Sequence, residues 1–352
     1  MTLSTLSTFT AIRTFTNKPS YFCIDDKSIP AHQLAASVLD FSHSRQVNKD
    51  KLLRGTGIFS QDLISDKKLS SQQLLKLLNN AQDLTPGNDS AFLLGNRLFP
   101  SNYGAISNAL MHSRNLSDML NVLAVLRSQI CPFFSANAYT TAHRHYLLIT
   151  DTVGCKNQLQ FLCELYFSAL VSATKLIFGQ RIPFQFDFPF ARPKYIQEYE
   201  VHLGHRLNFS QPMLSISFDK KCLSTPNQHS SENLKWHAIK QAKHLPMPKQ
   251  GFLEAVRRHL TAQHNMGLQH IADLFDMSPA TFKRKLKQHG VSFQQLQDEL
   301  GKQQALFLLQ IQQLSNEQSA NLMHFNDISN FRRSVKRWTG LTPSQLRLTF
   351  KN

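Results

Sequence analysis

The C-terminal part of this 352-residue chain contains the same small pattern twice, and this repeat limits the possible folds more than any other feature. In the first copy, at 267–291, Ile271 and Phe275 lie on one face of a predicted helix. Ser278 and Pro279 predict the start of another helix, because Ser caps a helix N-terminus and Pro is favoured at the first helical position. The spacing indicates two short helices joined by a tight turn.

The second of these helices has an apolar side and a cationic side. Phe282 and Leu286 are four residues apart and are predicted to face inward. The residues predicted to face outward are Ala280, Thr281, Lys283, Arg284 and Lys287. With Lys285 added, we expect four cations and no acid on the outward side. A helix-turn-helix with such a face is an arrangement that enters the major groove of DNA.

The second copy, at 315–341, repeats this arrangement. Ser315 and Gln318 have the spacing of a capping box, and Asn326 or Asp327 can cap the next helix. The buried face of that helix is predicted to consist of Ile328, Phe331, Val335 and Trp338. Its outward residues are Ser329, Asn330, Arg332, Arg333, Lys336 and Arg337.

One connecting helix is predicted between the copies, at 292–313. Roughly 18 residues span about 27 Å, and side-chain reach extends this toward the ~34 Å between successive major-groove faces. Residues 250–349 resemble the DNA-binding domain of the AraC/XylS family of bacterial transcription regulators. The resemblance is carried by IADLFDMSPATFKRKLKQHGVSF and HFNDISNFRRSVKRWTGLTPSQLR.

The resemblance implies which residues contact DNA. The family's base-reading positions correspond to Ala280, Lys283, Arg284, Ser329, Arg332 and Arg333. The positions better placed for phosphates are Thr281, Lys287, Lys336 and Arg337. It also implies a cytoplasmic, nucleoid-associated homodimer that activates transcription through RNA polymerase, with repression as the alternative.

Three residues depart from the family pattern. Gly301 stands in the connecting helix where the family usually has Arg, and a helix-interior Gly costs about 1 kcal/mol relative to Ala. Ser319 replaces a core Ile, and His324 replaces a turn Gly, which matters if that position needs a left-handed backbone. We therefore expect the second unit to read less sequence than the first.

The residues before this unit predict a mixed α+β domain, which an all-α domain with two helix-turn-helix motifs follows. Strands are predicted as a pair within 133–152 and singly at 184–190 and 213–219. Helices are predicted from a Ser70–Gln73 capping box onward and at 103–113, 116–130, 159–179, 193–204 and 233–243. The stretch 94–120 resembles the arabinose-binding-type sensing domain of a long-chain subset of the family, which includes ornithine-utilisation and virulence-type regulators.

We expect four segments along the chain: a flexible arm at 1–28, an effector-sensing and dimerisation domain at 29–243, a linker at 244–250 and the DNA-binding domain at 251–352. The apolar stretch 159–179 is barely long enough to span a bilayer and carries Glu164 and Lys175. It predicts a buried or dimer-forming helix rather than a membrane span, and is the candidate dimer face. No signal-peptide pattern opens the sequence.

The charge is strongly positive. Lys and Arg total 39 against 23 acids, a net charge of +16, of which +10 lies in residues 1–250. Two accounts of that excess are extra phosphate contact and a pocket for an anionic effector, such as a carboxylate metabolite or a fatty acid; scattered solvated lysines are the alternative. The candidate effector-binding residues are Arg97, His112, Arg114, Arg127, His143, Arg144 and His145.

The sequence favours no enzyme and no cofactor. It lacks the nucleophile-elbow, P-loop, dinucleotide-binding and zinc-protease motifs. The pairs His143/His145 and His202/His205 lack a third ligand at metal-binding spacing, and the five cysteines form no Cys-x-x-Cys pair, which predicts buried reduced thiols. The competing classes are an architectural nucleic-acid binder without an effector and an enzyme with an appended DNA-binding domain.

Overall fold

The computed structural model describes residues 20–100, 103–243, 250–262 and 266–348. An N-terminal domain of helices and strands precedes an all-helical C-terminal domain. The predicted α+β domain followed by two helix-turn-helix motifs is confirmed. Residues 1–19 of the expected arm and 244–249 of the expected linker lie outside the described residues.

The N-terminal domain contains both element types. Its helices are α1 (Leu34–Ser44), α2 (Lys49–Leu53), α3 (Ser71–Leu84), α4 (Ser90–Leu98), α5 (Ala105–Met111), α6 (Leu116–Ile130), α7 (Leu159–Phe178), α8 (Ile196–His202) and α9 (Glu232–Lys243). Its strands are β1 (Lys27–Pro30), β2 (Lys68–Ser70), β3 (Phe134–Thr140), β4 (Arg144–Asp151), β5 (Gln185–Asp187), β6 (Leu207–Asn208) and β7 (Ser215–Asp219). Short 3-10 helices cover Ser60–Ile64, Lys156–Gln158 and Lys220–Ser224.

The C-terminal domain consists of helices. They are α10 (Phe252–Ala262), α11 (Leu268–Leu274), α12 (Pro279–Gln288), α13 (Phe293–Leu306), α14 (Asn316–Leu322), α15 (Ile328–Thr339) and α16 (Pro343–Leu348). Helices α11 and α12 form the first helix-turn-helix, and α14 and α15 form the second. The connecting helix α13 continues into a π-helical turn, Phe307–Ile311, which the sequence did not predict.

A five-stranded sheet in the order β3-β4-β7-β5-β6 forms the centre of the N-terminal domain. Its strands are antiparallel except for the parallel pair β5 and β6. Because side chains alternate along a strand, His145 and Leu147 of β4 lie on one face and Tyr146 and Leu148 on the other. The first face meets the helices of the same domain. The second face meets the π-helical turn, where the rings of Tyr139 and Phe307 lie 4.5 Å apart.

Helix α7 forms the core of the N-terminal domain. It is long and apolar enough to cross a membrane, but 72% of its most apolar window is buried inside the protein, as in the core helix of a soluble protein. Only Lys175 and Leu176 on this helix are exposed. Gly95 of α4 packs so closely that an added Cβ would lie 2.2 Å from the Leu165 carbonyl oxygen. The expectation that this helix forms the dimer face is therefore wrong, since the monomer already covers it.

The last residues of the expected arm are packed, which corrects the prediction that the arm is flexible to residue 28. The Phe22 amide donates to the Gln250 carbonyl at 3.1 Å, and the Phe252 amide donates to the Phe22 carbonyl at 2.9 Å. The Phe22 side chain is fully buried, and the Tyr21 ring lies 5.4 Å from Phe252. Tyr21 and Phe22 are thereby joined to residues 250–252 at the start of the C-terminal domain.

Both helix-turn-helix motifs use the same backbone at the turn. Asp276 in the first and His324 in the second have positive φ angles of 54° and 57°. The expected left-handed requirement at His324 is therefore present. Asp and His are among the non-glycine residues that adopt this region most readily, so neither turn needs Gly.

The two domains meet where β4 ends. The buried His289 ring, at the C-terminus of α12, forms a 2.6 Å hydrogen bond through Nδ1 with the Val153 carbonyl. The Arg257 guanidinium donates to the Asp151 carbonyl and, at 2.8 Å, to Glu299 of α13. Gly154 has a φ of +94°, and a Cβ there would lie 2.1 Å from the His289 carbonyl oxygen. Helix α12, the second helix of the first helix-turn-helix and hence its predicted recognition helix, is thus seated directly against the N-terminal domain.

We predict that Gly154→Ala destabilises the protein more than Gly179→Ala. Both glycines have positive φ, so each substitution costs about 1–2 kcal/mol in backbone strain. At Gly154 the new methyl group also collides with the backbone of the other domain, whereas Gly179 faces open space. Denaturant unfolding of both variants measures the difference. Equal losses of unfolding free energy would show that this contact does not hold the domains together.

Candidate DNA interface and effector cavity

Helix α12 begins as the sequence predicts. The Ser278 hydroxyl accepts the Thr281 amide at 3.2 Å, and Pro279 occupies the first turn. Phe282 and Leu286 are fully buried in a small core that α10, α11 and the start of α13 share. The buried side therefore fixes the orientation of the helix. The exposed residues of this helix that were predicted to face outward are Ala280, Thr281, Lys283, Arg284 and Lys287.

Lys285 does not belong to that exposed face, which corrects the expected count of four outward cations. Its side chain is half-buried, and Nζ lies 5.2 Å from the Tyr21 ring centroid and 5.5 Å from that of Phe252. A cation above aromatic rings is stabilised by their electron-rich faces. Lys285 therefore fastens residues 20–23 to α12, leaving three cations facing outward.

Helix α15 presents a comparable surface. Asp327, one of the two predicted caps, accepts the Asn330 amide at 2.7 Å. Phe331 and Val335 are fully buried. The exposed residues of this helix that were predicted to contact DNA are Ser329, Arg332, Arg333, Lys336 and Arg337.

Two of these cations already have partners in the protein. The Arg333 guanidinium donates to the Asn330 side-chain carbonyl at 2.9 Å. The Arg337 guanidinium pairs with Asp298 of α13 at 3.0 Å. No ion pair forms between described residues at Lys283 or Arg284 of α12, so the two helices differ in how many cations are engaged.

The Gly301 departure has a structural reason. A Cβ at this position would lie 2.6 Å from the Trp338 ring, so the glycine makes room for the indole of α15. The indole Nε1 donates to Asp298 at 3.0 Å, one turn earlier on α13. Ser319, by contrast, is fully buried, and its hydroxyl has no hydrogen-bond partner among the described residues. Such a group costs about 1–3 kcal/mol.

The N-terminal domain contains a cavity of about 630 Å³. It lies between α5, α6 and α7 on one side and the inner face of the sheet on the other. Its walls are mostly aliphatic and aromatic, including Leu110, Leu123, Phe167, Leu147 and Ile149. Cavities of this volume accommodate small organic ligands.

The cavity has one charged end. Among the described residues that line it, Arg127 of α6 and Glu254 of α10 are the two that carry full charges. The Arg127 Nη2 atom donates to both Glu254 oxygens, at 2.8 and 2.6 Å, and the Ser135 hydroxyl donates to Oε1 at 3.0 Å. The two charged side chains are 17% and 21% exposed. The DNA-binding domain therefore contributes a wall residue to the cavity of the other domain.

Of the seven predicted effector-binding residues, the structure places two at the cavity, Arg127 and His145. His145 hydrogen-bonds Thr140 through Nδ1 at 2.7 Å, and burial lowers its pKa, so the ring is neutral at pH 7. Arg144 lies on the opposite face of the sheet and donates to Ser217 at 2.7 Å.

The other four predicted residues lie away from the cavity. Arg97 donates to the Ser44 hydroxyl at 3.1 Å, and the His112 ring bonds the His229 carbonyl at 3.2 Å. Arg114 is exposed before α6, and His143 is exposed in the hairpin turn rather than on the strand beside His145. The predicted anion-binding wall is therefore reduced to a single cation, because the other side chains face solvent or other partners.

The parts of the chain that the structure covers also place the potential metal ligands and the thiols. They contain no cluster of three or more His, Cys, Asp or Glu side chains suited to a metal ion. All five cysteines are free, and Cys23, Cys155 and Cys163 are buried. At the cavity, burial raises the pKa of the Cys131 thiol to about 12, which keeps it protonated and unreactive.

Models of two known protein domains match this chain. The model for the arabinose-binding N-terminal domain of AraC transcription regulators matches residues 47–227, more than half of the chain, and a helix-turn-helix domain model matches residues 271–349. The chain belongs to the AraC family of transcription regulators. It is a DNA-binding regulator with an N-terminal ligand-binding domain.

Two regulators are similar to this chain in sequence, and one solved structure overlaps it loosely. The ornithine utilization regulator of Pseudomonas aeruginosa is 25% identical over 320 residues, covering 89% of this chain and 94% of that protein. The HTH-type transcriptional regulator VirS of Mycobacterium tuberculosis is 28% identical over 153 residues, 42% of this chain and 45% of that protein. The crystal structure of the regulator CdpR from Pseudomonas aeruginosa aligns over 89% of this chain and 97% of that chain at 14% identity, with a TM-score of 0.40, a loose overlap.

Sequence reasoning missed the acid that lines the cavity of this AraC-type regulator from its DNA-binding domain. Glu254 lies three residues into α10, and its position gives no sign that it reaches the cavity. Ser135 and Thr140 were likewise missed, although they lie on the predicted strand pair. Acidic residues are common near helix N-termini because they stabilise the helix dipole. The sequence therefore does not distinguish Glu254 from an ordinary first-turn acid.

We predict that Gly301→Ala destabilises the second helix-turn-helix, although Ala has the higher helix propensity. The added methyl group meets the Trp338 ring, while propensity alone would stabilise the helix by about 1 kcal/mol. The matched variant Gln304→Gly in the same helix should show the ordinary propensity loss. Hydrogen exchange of α15 amides measures the effect. Unchanged or slower exchange in Gly301→Ala would show that the indole does not require the glycine.

Proposed function

We propose that this regulator binds an amphiphilic carboxylate, such as a fatty acid or another apolar carboxylate metabolite, and activates transcription in response. The observation that carries the proposal is the cavity of about 630 Å³, with apolar walls and Arg127 at its charged end. An apolar chain that leaves water for such walls gains roughly 0.8 kcal/mol per methylene group. A carboxylate head group matches the guanidinium, which binds carboxylates through two parallel hydrogen bonds.

The cavity is accessible near strand β3. Ala136 and Ala138 face it from this edge strand and remain exposed. Each pairs with a residue of β4 on the same face, Ile149 and Leu147 respectively. A ligand entering here would pass between small side chains and meet the larger apolar residues behind them.

DNA reading is assigned to the exposed faces of α12 and α15. We propose base contacts by Ala280, Lys283, Arg284, Ser329, Arg332 and Arg333, and phosphate contacts by Thr281, Lys287, Lys336 and Arg337. All ten side chains are exposed, which supports the assignment. Arg337 must exchange its Asp298 partner for a phosphate to take part.

The mechanism is a shift in population between two domain arrangements. The inner face of the sheet lines the cavity, and its outer face holds the π-helical turn through Tyr139 and Phe307. A ligand that moves β3 or β4 would therefore move the connection between the two recognition helices. Homodimerisation, contact with RNA polymerase and a cytoplasmic, nucleoid-associated location are proposed from the family. Repression is the second candidate.

We expect Arg284→Ala and Arg333→Ala each to weaken specific DNA binding by about 1–3 kcal/mol and to relax base preference locally. Arg284 should cost more, because Arg333 is already engaged by Asn330 and its unit contains the unpartnered Ser319 hydroxyl. High-affinity duplexes are first selected from a random library. Binding and footprinting of each variant on these duplexes then measure the loss of affinity and the change in base preference. Equal losses in the two half-sites would contradict the expected asymmetry.

Lys287→Ala and Lys336→Ala serve as matched controls for those substitutions. As phosphate contacts they should weaken binding to all sequences alike and reduce the slope of log affinity against log salt by roughly 1. An architectural nucleic-acid binder would instead lose affinity equally for selected and scrambled duplexes in every variant. That result would exclude the specific regulator.

We predict that dodecanoate binds the full-length protein more tightly than dodecanol. Hydrogen bonds to the charged Arg127 contribute roughly 1.5–3 kcal/mol each, and the free energy of the Glu254 contact that they replace reduces this gain. Ala138→Leu should weaken both ligands by filling the cavity from an exposed strand position. Ala142→Leu, in the exposed hairpin turn, is the control and should change neither affinity. Calorimetric titration of wild type, Ala138→Leu and Ala142→Leu with each ligand measures these affinities. Absence of dodecanoate binding would refute the proposed effector class.

A further inference from the structure

We propose that Glu254 occupies the place of the effector carboxylate in the unliganded protein. An incoming carboxylate takes over Arg127, displaces Glu254, and so detaches the start of α10 from the N-terminal domain. This inference rests on the proposed function and adds a means of regulation to the same site.

The bonding of Arg127 shows that its guanidinium is held independently of Glu254. Its Nη1 atom donates to the Phe134 carbonyl at 3.2 Å, within the same domain. Its Nη2 atom is the one that donates to both Glu254 oxygens. When Glu254 leaves, the guanidinium therefore keeps an anchor and continues to face the cavity. The anion site is preformed on one domain, and the other domain supplies its present occupant.

The exchange is exclusive because the two carboxylates need the same donor groups. Both Glu254 oxygens accept from Nη2, and the Ser135 hydroxyl also donates to Oε1. A ligand carboxylate beside Glu254 would lack these donors and would meet a like charge at contact distance, where low solvent exposure weakens screening. A ligand with a neutral head group meets no such competition, and gains nothing from Arg127.

The displaced residue is well placed to pass on the change. Glu254 lies in the first turn of α10, one residue after the Leu253 amide that donates to the Thr152 carbonyl at 3.1 Å. One turn further along, Arg257 links α10 to Glu299 of the connecting helix at 2.8 Å. Loss of the Arg127 contact therefore loosens the helix that holds the connecting helix to the sensing domain, while the contacts of Arg257 and His289 remain.

This exchange makes Glu254 an intramolecular competitor of the effector. Displacing Glu254 costs free energy, and this cost lowers the affinity for the effector. Because the coupling between the two contacts is reciprocal, effector binding weakens the docking of α10 by the same free energy. Removing the negative charge at residue 254 should therefore strengthen effector binding and abolish its effect on docking.

The test is calorimetric titration of full-length protein with dodecanoate and dodecanol, in wild type and Glu254→Gln. Gln keeps the size of the side chain and can still accept from Arg127 and Ser135 without the charge. We expect Glu254→Gln to bind dodecanoate at least tenfold more tightly than wild type and to bind dodecanol unchanged. Glu317→Gln removes an exposed first-turn carboxylate of α14 in the same domain, away from the cavity and from α10, and should leave both affinities as in wild type.

Hydrogen exchange gives the second readout. In wild type, dodecanoate should speed exchange of the amides in the first turns of α10, and dodecanol should not. In Glu254→Gln those amides should exchange at one rate with or without dodecanoate. Equal dodecanoate affinity in wild type and Glu254→Gln, or weaker binding by the variant, would overturn the exchange while leaving the proposed effector class intact. No dodecanoate binding by either protein would overturn both.

Discussion

The two faces of one largely antiparallel sheet determine how the parts of this regulator are related. The face that carries Leu147 and Ile149 lines the cavity, and the face that carries Tyr146 and Leu148 meets the end of the connecting helix. Since neighbouring residues on a strand point to opposite faces, a displacement of either strand is felt on both sides. The cavity and the end of the connecting helix therefore lie on opposite faces of the same strands.

The docking of the two domains combines apolar packing with a few directed contacts. Tyr21, Phe252 and Phe275 form an aromatic cluster at the start of α10. Around it, His289 and Arg257 bind carbonyls at the end of β4. Apolar contacts are insensitive to direction, whereas these hydrogen bonds specify one orientation of the first recognition helix.

The two helix-turn-helix units are similar in outline and different in their supports. The first is seated on the N-terminal domain and on Lys285 above two aromatic rings. The second is tied to the connecting helix through Trp338, Asp298 and the space left by Gly301. Gly301 lowers the helix propensity of α13, but it leaves the space that the Trp338 ring occupies. The buried Ser319 hydroxyl has no hydrogen-bond partner among the described residues.

The local pattern of the sequence was sufficient to establish the helix-turn-helix pair, the caps at Ser278 and Ser315, the β3–β4 hairpin and the exposed cationic faces. These depend on periodicity and on hydrogen bonds between near neighbours, which sequence spacing encodes. Only the tertiary structure decided which cation faces the cavity, that Glu254 meets Arg127 across 127 residues of chain, that Lys285 turns inward and that helix α7 is core rather than dimer face. Those facts depend on which surfaces pack together, and a helical or strand pattern shows that a face is buried without showing what covers it.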